Sequence, residues 1–160
     1  MKERLDHLFR YAACANRAAL ECLKSLTQLP PKATAILAHM VAAEDVWLRR
    51  ITNESGRAVA VWADLSLSEC ESQLAKNNAA YTKLLAGLDD DALDRRIVYW
   101  NSQGVRYENR LEDMLLHVCF HGSYHRGQIA SLVRASGGQP VNTDYIVYVR
   151  EGAGREGSGR

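Results

Sequence analysis

Apolar residues recur at helical spacing along four stretches of this chain. In the first, Leu5, Leu8, Ala12, Ala15, Ala19, Leu23 and Leu26 share one face and predict a helix over 2–27. Leu29-Pro30-Pro31 ends it, and the second proline can open the next helix. That second helix is expected from about 32 to 53, with Ile36, Met40, Ala43, Trp47 and Ile51 inward and Asn53-Glu54-Ser55-Gly56 as its close. Ser66 and Ser68 are each followed three residues later by glutamate, as in a capping box, and introduce a third helix over roughly 67–87. Its Leu67, Leu74, Tyr81 and Leu88 recur every seven residues, a spacing that suits near-antiparallel packing in a bundle. The fourth stripe, Leu111, Met114, Val118, Ile129, Leu132 and Ala135 or Ser136, predicts a helix from Arg110 or Leu111 to about Ala135, stopped by Gly137-Gly138.

Between the third and fourth helices the period changes. Ile97-Val98-Tyr99-Trp100 and Val105-Arg106-Tyr107-Glu108 flank Asn101-Ser102-Gln103-Gly104 and read as a hairpin. Beyond the fourth helix, Thr143 or Asp144 can cap a last short helix through Tyr145–Arg150, with a strand as the rival because the run is rich in β-branched and aromatic residues. Gly152 to Arg160 reads as a mobile tail. The expected architecture is all-α: a single four-helix bundle domain over 1–151 with a short β-hairpin between helices 3 and 4, then a flexible tail over 152–160.

Composition narrows the function classes. Twenty basic and nineteen acidic residues leave a net charge of +1 with no basic block able to track phosphates, so nucleic acid is not an expected partner. No apolar run approaches a membrane span, and the charged start Met1-Lys2-Glu3-Arg4-Leu5-Asp6 is unlike a secretory signal, which places the protein in the cytoplasm. Cys14, Cys22, Cys70 and Cys119 form no CxxC pair, so neither a zinc ribbon nor a disulfide framework is expected.

The fourth helix also carries the chemistry. In His121-Gly-Ser-Tyr-His125 two imidazoles lie four residues apart, one turn along one helical face, where both can meet a single ion. His39, on the margin of the second stripe, can face them from a neighbouring helix. Three neutral imidazoles leave a divalent ion an open position for water or substrate, as reactive metal sites do. His117 falls roughly 90° from the centre of its stripe and reads as a boundary or surface residue. Asn16, near the inward face of the first helix, calls either for an interhelical hydrogen bond or for a pocket-lining role. Glu44 reads as an exposed helical glutamate, with a supporting or substitute ligand as the alternative. Tyr124 reads as helix-interface packing or, alternatively, as a substrate-orienting side chain.

The run Leu115-Leu116-His117-Val118-Cys119-Phe120-His121-Gly122-Ser123-Tyr124-His125-Arg126-Gly127-Gln128-Ile129 resembles the signature helix of the DinB-like (DinB/YfiT) superfamily. His39 with Glu44 and Trp47-Leu48 resembles its second-helix motif, and Asn142 to Glu151 resembles its closing segment. The resemblance implies a four-helix bundle with one divalent metal, zinc or nickel, on His39, His121 and His125, commonly in a homodimer. Some relatives are thiol-dependent transferases or isomerases that use bacillithiol or mycothiol. Where some members carry a glutamate in the helix-four pair, this chain has His121.

Three functions follow as expectations. The first is a metal-dependent S-transferase that joins a low-molecular-weight thiol to a small electrophile, with Asn16 and Tyr124 binding substrate. The second is a metal-dependent hydrolase. The third is a non-catalytic, stress-related module that binds metal or ligand. Trp47, Trp62, Trp100 and the closing tyrosines supply more aromatic surface than one narrow core requires, which predicts a two-fold homodimer.

Overall fold

The computed structural model of the chain describes residues 1–53, 61–101 and 103–156, with side chains to Gly152. The elements are α1 (Lys2–Lys24), α2 (Pro31–Thr52), α3 (Leu67–Ala86), a 3-10 turn (Asp91–Asp94), β1 (Arg96–Trp100), β2 (Arg106–Arg110), α4 (Leu111–Ala135) and α5 (Tyr145–Glu156). This is the all-α bundle with a hairpin that the periodicity predicts. The final segment is a helix and not a strand. Residues 54–56, part of the expected close of α2, and 157–160 of the expected tail lie outside the described residues.

Local chemistry sets the ends of these helices. Pro31 stands in the first turn of α2, where its missing N–H costs nothing. Asn53 ends α2 in the left-handed region at φ 59°, which asparagine tolerates better than most residues. The Ser66 hydroxyl accepts from the Glu69 amide while the Glu69 carboxylate accepts from the Ser66 amide, a complete capping box for α3. At the end of α4, the Gly138 amide donates to Val133 and the Gly137 amide to Arg134. This is a Schellman closure, for which Gly137 adopts φ 81°.

α2 packs against α4 and α3, and α1 packs against α3 and α4, whereas α1 and α2 touch little. The helices therefore run α1, α3, α2, α4 around the bundle, and the proline turn after α1 crosses to the diagonal position. β1 and β2 pair antiparallel, with Val98 opposite Glu108, and rest on α2 and α4. α5 lies along α1, where His7 and Tyr11 make edge contacts with Tyr145 and the Tyr11 hydroxyl donates to the Thr143 carbonyl at 2.6 Å.

Two apolar layers fill the interior. One contains Leu20, Leu23, Ile36, Leu37, Met40, Cys70, Ile129 and Val133. The other contains Leu5, Ile51, Tyr81, Leu85, Leu111, Met114, Leu115 and Val118. Between them lies a polar layer of Asn16, Glu44, Asn77, His125 and Arg126, all buried. Among the described residues no helix is long and apolar enough to cross a membrane.

Candidate metal centre

α2 is buried on every side from Ile36 to Glu44, not only along the stripe Ile36, Met40, Ala43, because α3 and α4 both pack along it. That carries His39 from the margin of a stripe into the interior. On α4 the buried positions run Leu115, Cys119, Gly122, Arg126, Ile129 and Val133, with His125 beside them. The predicted stripe holds at Leu111, Met114, Val118 and Ile129, which are buried, and departs only at its end, where Leu132 is half-buried and Ala135 and Ser136 are exposed.

His39, His121 and His125 come together as sequence spacing predicts. One ligand nitrogen from each lies within 4.8 Å of the others, so the group could hold a metal ion. The Nε2 atoms of His121 and His125 are 3.0 Å apart. Two nitrogens bonded at about 2.0–2.1 Å to one ion would stand about 2.9 Å apart at a right angle and about 3.4 Å apart at the tetrahedral angle. His39 Nδ1 is 2.8 Å from the Val61 carbonyl, which can only accept, so Nδ1 carries the proton and Nε2 keeps its lone pair. His125 Nδ1 meets Gln128 Oε1 at 2.8 Å, the kind of outer contact that orients a ligating ring.

Burial keeps two of these rings, His121 and His39, neutral. Burial, then the neighbouring His125, His39 and His117, push the His121 pKa down to about 4. Burial also lowers His39, against the opposing pull of the Val61 carbonyl. A neutral imidazole offers its lone pair without competition from a proton, so a cluster of imidazoles could hold a metal ion.

Aromatic rings border the cluster. Trp62 stacks on His39 at 4.0 Å with planes 16° apart and remains 66% exposed. Tyr124 stands edge-on to His125 at 5.2 Å, also 66% exposed, so within the chain it is not helix-interface packing. His117 lies outside the cluster on the surface, 4.7 Å from Trp47 and 5.5 Å from His121 between ring centres. The sequence gives Trp62 only as surplus aromatic surface and not as a neighbour of His39, because it precedes α3 in a segment with no period to place it.

The polar layer corrects a second reading. Glu44 is not an exposed helical glutamate but is 8% exposed, because α2 has no solvent face at that height. Its Oε1 accepts from Asn16 at 2.7 Å and its Oε2 from Asn77 at 3.2 Å. Burial raises its pKa, while those two bonds and the Arg126 charge oppose the rise. Asn16 makes the interhelical bonds expected of a buried amide, accepting from Arg126 Nη1 at 2.7 Å as it donates to Glu44. Arg126 also donates to Ser123 and Tyr11. Gly122 makes room for it, since a Cβ there would stand 3.0 Å from Arg126 Nη1. The sequence around Arg126 does not mark it as buried, since the space it fills comes from the missing side chain of Gly122 one turn earlier. Cys119 and Cys70 are buried, with pKa values pushed up to about 12 and about 11, chiefly by burial, so neither is an activated nucleophile.

Comparison with known proteins bears on the family and the fold. The family model described as DinB family matches residues 1–156. Protein DinB of Bacillus subtilis (strain 168) is 23% identical over 159 residues, covering 89% of this chain and 91% of that protein. The crystal structure of a DinB-like protein from Bacillus cereus ATCC 10987 superposes with a TM-score of 0.68 at 20% identity, covering 88% of this chain and 95% of that one. That likeness is one of fold, and it includes the helical bundle described above. On the whole-length family match, with the histidine cluster and bundle already in place, the chain belongs to the DinB family.

Proposed function

We propose that the chain binds one divalent ion, zinc or nickel, through His39, His121 and His125 and is a thiol S-transferase acting on a small electrophile. The observation that carries this reading is the convergence of three imidazole nitrogens within 4.8 Å beside a rim of exposed aromatic rings. A divalent ion there supplies Lewis acidity, which lowers the pKa of a thiol from about 8.5 or of water toward about 7. The thiol gives its proton to solvent, its sulfur bonds to the electrophilic carbon, and a leaving group departs with the displaced electron pair.

The chain's own residues do the rest. Val61 and Gln128 hold two of the rings. Trp62 and Tyr124 offer flat apolar surface to the electrophile, whereas Asn16, with its amide oxygen and nitrogen both engaged, acts on substrate only through Glu44 and Arg126. Hydrolysis is the second reading. Among the described residues no carboxylate joins the cluster to serve as a base for water, which favours the thiol, a nucleophile that needs less activation.

The test is a metal-replete screen of small electrophiles with and without cysteine, glutathione, bacillithiol and mycothiol. Turnover only with a thiol is the expected result. Turnover without thiol would establish the hydrolase, and stoichiometric binding without turnover a binding protein. We also propose a cytoplasmic two-fold homodimer, supported by exposed Trp100, Phe120 and Ile146. The closing tyrosines contribute less than their number implies, since Tyr145 and Tyr148 pack on His7. Sedimentation equilibrium at micromolar concentration should give about twice 17.8 kDa, and a mass of 17.8 kDa would refute the dimer.

A further inference from the structure

The polar layer has a second opening. Between α1 and α3 the bundle leaves a cavity of about 320 Å³ that none of the three histidines lines. It exists because the helices meet there through small residues, Ala12 and Ala13 on α1 and Ala75 on α3, while Leu20, Leu74 and Tyr81 fill the levels above and below. Glu44 forms part of its wall. Five residues beyond His39 on α2, Glu44 is turned about 140° around the helix axis, so one helix serves both faces.

Arg17, Glu71 and Asn78 are the exposed polar members of the lining, and Glu44 is its buried charged group. The partners of Glu44 are donors: the Asn77 nitrogen also donates to the Val41 carbonyl at 3.0 Å, and the Asn16 nitrogen is set by the Arg126 bond to its oxygen. Each carboxylate oxygen accepts one bond here, and a carboxylate offers about four acceptor positions. The complementary group is therefore a hydrogen-bond donor. An apolar cavity of about 150 Å³ holds one benzene, so this one suits a body of about two rings.

We propose that this cavity is a second small-molecule site, separate from the histidine centre, for a flat apolar body of about two rings with a hydrogen-bond donor directed at Glu44. The test is calorimetric titration of the full chain with 2-naphthol, 2-naphthylmethylamine and 2-naphthoate. One donor probe per chain should bind, the hydroxyl and ammonium arms showing which donor is preferred, and the carboxylate at least about tenfold more weakly because the lining holds two carboxylates, Glu44 and Glu71, against one guanidinium, Arg17. Metal-free and metal-loaded protein should bind the probe equally. Ala75→Trp, at an exposed position, should block the cavity without changing metal stoichiometry, and Ala13→Met should do the same from the opposite wall. Absence of binding by both donor probes, equal binding of 2-naphthoate, dependence on metal, or binding undiminished in both variants would overturn the proposal. The thiol screen is independent of all four results.

Discussion

At one height in the bundle, two groups of buried polar side chains obey opposite rules. In the network of Glu44, Asn16, Asn77 and Arg126, nearly every donor has an acceptor, and Asn16 bridges the arginine to the carboxylate. Among its described side-chain atoms only Arg126 Nε lacks a partner. In the cluster of His39, His121 and His125, nitrogens converge on one another with no carboxylate or amide between them. Saturated groups fix the helices, because each bond lost would leave a buried polar atom bare. The converging ring nitrogens join His121 only to His125 of the same helix, so that contact ties no two helices together and the group could hold an ion. The difference separates scaffold from site even though His125 and Arg126 are adjacent in sequence.

Those adjacent residues give the strongest tests. His125→Ala should reduce metal content from one ion per chain to almost none after chelation and reconstitution, with the helical fold retained. Arg126→Met should do the reverse. Removing the guanidinium leaves Glu44 without its nearby compensating charge and Asn16 without its donor, at a cost of about 3–5 kcal/mol in urea denaturation. The folded fraction should still take up metal. Metal lost with Arg126→Met at temperatures where the variant remains folded would show that the two groups are one unit.

The helices and hairpin were legible in the sequence because each depends on local period and punctuation: the prolines before α2, the capping box before α3, the glycines after α4. The histidine triad was legible because an i, i+4 pair on an apolar helix is itself a local pattern. Glu44 and Arg126 were not. A glutamate followed by Asp45, or an arginine after a histidine, carries no local mark of burial, which comes from the number of helices packed around α2 and from space left by Gly122. Asn16 was the clue, since a polar residue on an inward face needs partners of matching chemistry.

A smaller pair of effects sharpens the contrast. Gln128 supports the histidines through His125, and Gln73 supports the network by donating to Asn77 at 2.8 Å. Gln128→Ala should weaken metal binding about 10–100-fold, the usual cost of losing a partner that orients a ligand, in a competition titration against a chelator. Stability without metal should move little.

The smallest effect tests whether the two regions share any support. Ser66 caps α3, the helix that brings Asn77 and Tyr81 to the network and no histidine to the triad. Ser66→Ala removes the acceptor for the Glu69 amide while leaving the packed face of α3 unchanged, so it should cost about 1 kcal/mol of stability by urea denaturation. Metal affinity should be the same as in the unmodified protein, because α2 and α4, which hold the histidines, pack directly against each other. A parallel fall in metal affinity would mean that α3 transmits its disorder through Glu44 into α2, and the saturated network would then be part of the metal centre's support.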